Sequence, residues 1–348
     1  MFFFIILVLI TKLFKMKKLI YINLIFLTII SCSDDIDNNN LSEECNISNY
    51  EANIIAVDSD DKELNTFLVK NGDKRTFRFF EPSNINENTK ILFLIHGWGG
   101  TAKQFWDFYP EFKVKAEENN YILVYPNGKP NNYDGLLYGQ PKGTWQWWCQ
   151  DVSAGECDTD DVSFLAELAQ TMQSKYNICP KNTFASGISM GGVATFVANQ
   201  KASKYFNGAA SFIGCTFPAG GFPTADAFPL LMFDGTNDPF FITEGTGSIP
   251  SIIYNFWPEE TVLSRNYSIS FDTTRQTIFD YYAGNANCSS YEKIQITNSN
   301  SLVKWTNCDN GFEMWKYTVK DWGHTVPTLD SEAGINYADV VFEFFNKF

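Results

Sequence analysis

The chain has 348 residues, of which 45% are hydrophobic and 19% are charged, so it can build a sizeable core and is not disordered over most of its length. Its formal net charge is −14 at pH 7, and no cluster of lysine and arginine occurs beyond the N-terminus. Proteins that bind nucleic acids neutralise phosphates with such clusters, so the composition argues against a nucleic-acid partner.

The first 31 residues have the pattern of a secretory signal peptide. Lys17 and Lys18 form a short positive region, and an apolar run over residues 19–30 follows them. Met16 stands directly before the lysines and is an alternative start of the chain. An uncleaved membrane anchor is the other interpretation, but the apolar run is short for a full span. We therefore expect residues 1–31 to be a signal peptide.

The sequence around Cys32 resembles a bacterial lipobox, in which the cysteine becomes the lipidated first residue of the mature chain. Ile29-Ile30-Ser31 precede this cysteine, and a polar, acidic stretch follows it. The resemblance to a lipobox implies a lipidated Cys32. The polar stretch cannot bury enough apolar surface to fold, so we expect residues 32–50 to be the lipidated cysteine and a tether. The protein would then be exported, and either held at the outer membrane or cell surface by the lipid alone or secreted.

The remaining seven cysteines are an odd number, and export would allow some of them to form disulfides. Connectivity cannot be deduced from sequence. Cys288 with Cys308, and Cys149 with Cys157, are the first pairs to test because each lies within one local segment. The sequence contains neither a C-x-x-C pair nor a histidine cluster, so we expect no metal site.

Beyond the tether, apolar runs that suit buried strands alternate with stretches of helical periodicity. The predicted strands are 67–70, 76–80, 91–95, 121–125, 182–188, 209–213, 230–233 and 312–319. The predicted helices are 102–118, 162–176 behind Asp160 as N-cap, 191–199 and 335–345. This alternation predicts an α/β fold, with a mostly parallel central sheet covered by helices on both faces and one domain over residues 51–348.

The stretch that organises the domain is Gly187-Ile188-Ser189-Met190-Gly191, between a predicted strand and a predicted helix. It matches the G-x-S-x-G pattern of a nucleophile elbow, in which a sharp strand-to-helix turn lifts the serine hydroxyl clear of the sheet. A plain glycine-rich turn is the alternative. In this context the pattern favours Ser189 as a catalytic nucleophile.

A serine nucleophile needs a base and an orienting carboxylate, which follow it in α/β-hydrolases in the order Asp or Glu, then His. Of the two histidines, His96 precedes Ser189 and His324 follows it, so the order selects His324 as the base. Asp234 and Asp238 both follow the strand 230–233. We prefer Asp238, which lies past a Gly-Thr-Asn turn, and expect Asp234 to cap that turn.

An oxyanion hole needs two N–H donors. We assign them to Met190, directly after the nucleophile, and to Trp98 in the glycine-rich loop His96-Gly97-Trp98-Gly99-Gly100, in which His96 shapes the loop.

Three tryptophans, Trp145, Trp147 and Trp148, lie close together in the sequence. They are candidates for a wall that binds a sugar or a phenolic acid. Packing in the core or in a lid is an equally good interpretation for each of them.

The segments LIHGWGG, DDVSFLAEL, GISMGG, DGTNDPF and GHTVP, in this order, resemble secreted esterases similar to polyhydroxybutyrate depolymerases and to feruloyl or acetylxylan esterases. The likeness to this carbohydrate-esterase group of the α/β-hydrolases covers about residues 78–348. Asp234 replaces a frequent histidine, and the sequence after His324 and the stretch 243–270 also depart from the group.

The resemblance implies a serine carboxylic-ester hydrolase with a Ser189–Asp238–His324 triad and no cofactor. We expect a monomer that acts on polymer- or plant-derived esters, with membrane contact only through the lipid on Cys32. Two alternatives remain: a serine peptidase on the same fold, and a non-catalytic surface lipoprotein that binds glycan. The sequence leaves the acyl and alcohol specificity open.

Overall fold

The structure is a computed structural model of the chain, and it describes residues 45, 54–56, 65–68, 72–130, 143–145, 160–214, 227–238, 275–328 and 331–348. All of these belong to one unit of the chain, Cys45–Phe348. The predicted signal peptide, the lipidated Cys32 and the divergent stretch 243–270 lie outside the described residues. The domain bounds therefore stay predictions.

Thirteen strands occur in the described part of the chain. They are β1 Ile54–Ala56, β2 Asn65–Leu68, β3 Lys74–Phe80, β4 Lys90–Ile95, β5 Tyr121–Pro126, β6 Lys129–Pro130, β7 Gly143–Thr144, β8 Thr183–Ile188, β9 Ala209–Phe212, β10 Leu230–Gly235, β11 Ser290–Gln295, β12 Asn300–Thr306 and β13 Met314–Val319. Eleven of them form one sheet in the order β1-β2-β3-β5-β4-β8-β9-β10-β13-β12-β11, and β6 pairs with β7 separately.

The centre of the large sheet is parallel and its two sides are antiparallel. All neighbours from β5 through β4, β8, β9 and β10 to β13 pair in parallel. The strands β1, β2 and β3 on one side and β12 and β11 on the other pair in antiparallel fashion. The central strands are buried along their length, as expected for strands covered on both faces. The predicted α/β fold is confirmed.

Six α-helices are described: α1 Ala102–Phe108, α2 Glu111–Asn119, α3 Asp161–Tyr176, α4 Met190–Lys201, α5 Arg275–Asn285 and α6 Tyr337–Phe345. Alternate residues of β4 point to opposite faces of the sheet. Leu92 and Leu94 pack with Phe105, from α1, in one core cluster, whereas Phe93 packs with Phe164, from α3, in another. Helices therefore cover both faces of the sheet. Among the described residues, none of the helices is both long and apolar enough to cross a membrane.

The helix predicted over residues 102–118 is interrupted. Pro110 disfavours helical backbone at the residue before it, and Tyr109 accordingly leaves the helix with φ −125° and ψ 61°. Two helices, α1 and α2, result. The helix α5 was not predicted. The β11–β12 hairpin was not predicted either, since most residues of β11 are exposed and its apolar pattern is weak.

Two disulfides lie within the described residues. Cys288 pairs with Cys308, as the sequence suggested. Cys45 pairs with Cys179 across 134 positions of sequence, which local spacing could not indicate. Cys149 and Cys157 lie outside the described residues, so their pairing stays a prediction.

Candidate active site

Ser189 lies at the turn between β8 and α4. Its backbone has φ 56° and ψ −120°, a conformation that a residue with a side chain adopts only under constraint. The constraint is visible, because the Ser189 N–H donates to the carbonyl oxygen of Phe212 on the neighbouring β9, at 2.9 Å. The chain therefore turns sharply at Ser189, as the sequence pattern predicted.

Close packing explains the glycines around this turn. A Cβ on Gly187 would lie 2.3 Å from the carbonyl oxygen of Gly191, and one on Gly191 would lie 2.1 Å from the carbonyl oxygen of Ile95. Gly214, after β9, was missed by the sequence reasoning, although its Cβ would lie 2.2 Å from the Ser189 carbonyl oxygen. Any side chain at these positions would displace the turn at Ser189.

His324 joins Ser189 to Asp238. Its Nε2 lies 2.8 Å from the Ser189 Oγ, and its Nδ1 lies 2.8 Å from the Asp238 Oδ2. The Asp238 side chain is fully buried, whereas the imidazole is 19% exposed. The structure thus brings together the three residues that the sequence selected, in hydrogen-bonding order.

The turn that carries Asp238 is hydrogen-bonded to the loop that carries His324. Thr236 N–H donates to the Val319 carbonyl at 3.0 Å, and Asn237 N–H donates to the Trp322 carbonyl at 2.9 Å. In the other direction, Asp321 N–H donates to the Thr236 hydroxyl at 2.8 Å. Since β10 and β13 are neighbouring strands, the Asp238 carboxylate and the His324 imidazole lie on adjacent loops at the same edge of the sheet.

Asp234 does not act as the predicted turn cap. Its side chain is fully buried, and its carboxylate pairs with Arg275 at 2.6 Å and with Lys316 at 3.4 Å. Arg275 also contacts Asp238, at 3.2 Å. Sequence reasoning missed this arginine because no motif marks it and its partners lie 41 and 37 positions away.

His96 is buried and shapes its loop through both ring nitrogens. Its Nε2 accepts the Gly128 N–H at 2.9 Å, so Nδ1 carries the proton and donates to the Gly97 carbonyl at 2.8 Å. Burial lowers the pKa of His96 to about 4, and the positive charge of Arg75 also lowers it, against the effect of the Gly97 hydrogen bond. The ring is therefore neutral at pH 7.

The loop after β4 passes close to Ser189. A Cβ on Gly97 would lie 3.4 Å from the Ser189 Cβ. Gly99 N–H donates to the Gly143 carbonyl at 2.8 Å, and Gly100 N–H donates to the Gly97 carbonyl at 3.1 Å. Both of these amides hold the loop in shape, and the assignment of Trp98 as an oxyanion donor stays a prediction.

Trp145 is not part of an open aromatic wall. It is fully buried, its Nε1 donates to the His96 carbonyl at 2.8 Å, and its ring centroid lies 5.0 Å from that of His96. For Trp145, the prediction of substrate contact is therefore wrong and core packing is correct. Trp147 and Trp148 lie outside the described residues, and their assignment stays a prediction.

Comparison with known proteins gives a family. The family model described as "Putative esterase" matches residues 70–277. A bifunctional acetylxylan esterase/xylanase of Neocallimastix patriciarum is 24% identical over 271 residues, which are 77% of this chain and 34% of the relative. Feruloyl esterase B of Piromyces equi is 26% identical over 240 residues, 67% of this chain and 39% of the relative. The chain thus spans a little over a third of the length of these curated relatives.

A solved structure supports the fold. An S-formylglutathione hydrolase from Agrobacterium tumefaciens superimposes with a TM-score of 0.50 at 12% identity, over 82% of this chain and 94% of that one. At this identity the likeness concerns the fold alone. The match to the family model covers more than half of the chain. The protein therefore belongs to the putative esterase family.

Proposed function

We propose that the chain is a carboxylic-ester hydrolase that works through an acyl-enzyme on Ser189. The observation that carries the proposal is the hydrogen-bonded series from the Ser189 Oγ through His324 to Asp238, with both contacts at 2.8 Å. This is the arrangement that a serine hydroxyl needs in order to act as a nucleophile. Membership of the esterase family supports the ester as the bond that is cleaved.

Each side chain then has one task. His324 takes the Ser189 proton through Nε2 while Oγ attacks the ester carbonyl, and the buried Asp238 stabilises the resulting imidazolium through Nδ1. His324 returns the proton to the leaving alcohol. In the second half-reaction, water attacks the acyl carbonyl while His324 accepts its proton, and His324 then returns that proton to the Ser189 Oγ as the bond to the acyl group breaks and the acid is released.

Two backbone amides would stabilise the tetrahedral oxyanion. Met190 is the first residue of α4, so its N–H lies at the positive end of a helix directly beside the nucleophile. Trp98 N–H belongs to the loop that passes close to Ser189, since a Cβ added to the neighbouring Gly97 would lie 3.4 Å from the Ser189 Cβ. Donors held in place before the reaction lower the barrier because they need no reorganisation when the charge develops.

We infer that the substrates are esters on plant-derived or other polymers. The relatives are named for acetylxylan and feruloyl ester hydrolysis, and an oxidized polyvinyl alcohol hydrolase of Sphingopyxis is 26% identical over 194 residues. We also infer export, since the two disulfides suit a compartment outside the cytoplasm. The lipobox-like sequence Ile29-Ile30-Ser31 before Cys32 supports a lipid anchor on that cysteine. Labelling with radioactive palmitate that is lost in Cys32→Ser would support the anchor, and equal labelling would contradict it.

The decisive experiment compares the purified protein with Ser189→Ala. The panel is p-nitrophenyl acetate, methyl ferulate, acetylated xylan and short polyhydroxybutyrate, with aminoacyl p-nitroanilides to detect a peptidase. We expect turnover of at least one ester that disappears in the variant, and the best substrate would define the acyl group. Equal rates for both proteins on every ester would overturn the proposal and favour a non-catalytic binding protein.

A further inference from the structure

Arg275 joins Asp238 to a second buried carboxylate. Arg275 is the first residue of α5, and its guanidinium donates to Oδ2 of Asp238 at 3.2 Å and to Oδ1 of Asp234 at 2.6 Å. Lys316, on β13, lies on the other side of Asp234, with Nζ 3.4 Å from Oδ2. The four side chains are at most 1% exposed. Two anions and two cations thus form a buried charge chain, formally neutral, that ends at Asp238.

The chain ends at the oxygen that also serves the imidazole. Oδ2 of Asp238 accepts from Nδ1 of His324 at 2.8 Å and from Nη2 of Arg275 at 3.2 Å. A guanidinium is planar and permanently charged, so it holds two carboxylates in a fixed relation. It therefore fixes the position of this oxygen and offsets part of the negative charge that faces the imidazole.

We propose that Arg275 is a positioning residue for the triad, which holds Oδ2 of Asp238 at Nδ1 of His324. The inference rests on the proposed function of Ser189, His324 and Asp238. Without this contact, the Asp238 carboxylate could rotate away from the imidazole that it orients.

Two double variants separate positioning from general damage to a buried cluster. Asp234→Asn with Arg275→Met and Asp234→Asn with Lys316→Met each remove one anion and one cation, so each keeps the net charge of the cluster. In the first variant Lys316 loses the Asp234 carboxylate and keeps its hydrogen bonds to Gln276 Oε1 and Thr318 Oγ1. The first removes the cation from Asp238, and the second keeps it. Melting temperature and circular dichroism establish that both variants fold.

We expect the first pair to lower kcat on the order of tenfold with little change in KM, because the carboxylate loses its fixed position. The second pair should keep kcat close to the wild-type value, because Arg275 still contacts Asp238. Arg275→Lys should recover only part of kcat, since an ammonium keeps the charge without the fork. Equal kcat in the two pairs would overturn the inference.

A measurement without substrate separates this inference from the proposed function. The chain has only two histidines, so the Nδ1–H resonance of His324 can be assigned by NMR with His96→Asn. This resonance reports the hydrogen bond to Asp238, and we expect it to shift in the Arg275 pair and to stay in place in the Lys316 pair. Absence of ester turnover in the wild type would defeat the proposed function alone, whereas identical resonances in both pairs would defeat the role of Arg275.

Discussion

The carbonyl oxygen of Trp322 occupies the space in which Gly235 would carry a side chain, since a Cβ there would lie 2.2 Å from that oxygen. The end of β10 and the loop of His324 are therefore packed backbone against backbone. The absence of a side chain at Gly235 allows Asp238, three residues further, to approach the imidazole. The sequence indicated this glycine only as the first residue of the Gly-Thr-Asn turn before Asp238, and not its contact with Trp322.

Gly235→Ala should separate the two loops. We expect kcat/KM on p-nitrophenyl acetate to fall by about 100-fold, and the free energy of unfolding to fall by about 1–3 kcal/mol from the overpacking. The matched control is Gly323→Ala, in the same pair of loops, where an added Cβ meets no atom within 4 Å. Similar losses in both variants would show that the close approach at Gly235 is not the cause.

Asp238→Asn should remove most activity, whereas Asp234→Asn should not. Of these two aspartates, Asp238 is the one whose carboxylate accepts a hydrogen bond from His324. Losing the orienting carboxylate of a triad costs on the order of 10⁴-fold in kcat. The Asp234 carboxylate pairs with Arg275 and Lys316 instead. Steady-state kinetics of both variants decide between the two aspartates. A larger loss in Asp234→Asn would reverse the assignment.

His96 should make the protein less stable in acid. Its pKa is lowered to about 4 in the folded chain, against about 6.5 when unfolded. Between these values the unfolded chain binds a proton that the folded chain does not, so stability falls as pH falls from about 6.5 to 4, by at most about 3 kcal/mol. Urea titrations across this window should show a shallower loss in His96→Asn than in the wild type. Parallel curves would contradict the assignment.

The two disulfides should differ in their effect on stability. The Cys288–Cys308 bond spans 20 positions and Cys45–Cys179 spans 134. In the chain-entropy model these loops correspond to about 3 and about 5 kcal/mol. We therefore expect Cys45→Ala with Cys179→Ala to lower the urea midpoint more than the pair Cys288→Ala and Cys308→Ala. The reverse order would show that native contacts, and not loop length, dominate.

The parts of the site that the sequence predicted are those that local patterns specify. The turn at Ser189 needs small neighbours within two positions, and His324 is identified by chain order because only one histidine follows the nucleophile. Arg275 could not be found this way, since its contacts join β10 to α5 across 37 positions or more. The prediction that Trp145 contacts substrate failed for a related reason. The exposure of a side chain depends on tertiary packing, which the neighbouring tryptophans in the sequence do not indicate.

The fold was likewise predicted where local sequence patterns specify it and missed where they do not. The central strands were predicted because they are short apolar runs that are buried throughout, as in β4 and β5. The break at Pro110 was missed because helical spacing on both sides of it concealed the effect of the proline on Tyr109. The hairpin of β11 and β12 was missed because an edge strand with exposed residues carries little periodic signal.

The placement of the triad on the sheet has a mechanical consequence. Asp238 and His324 follow the neighbouring strands β10 and β13, whereas Ser189 follows β8, and β9 lies between β8 and β10. We therefore expect Asp238 and His324 to move together and Ser189 to move separately from them. Shear or added twist along β9, whose residues Ala209–Phe212 are all buried, would change the distance between Nε2 and Oγ while leaving the contact between Asp238 and His324 intact. We expect thermal inactivation to begin as a loss of alignment between these two groups of strands, before either group unfolds.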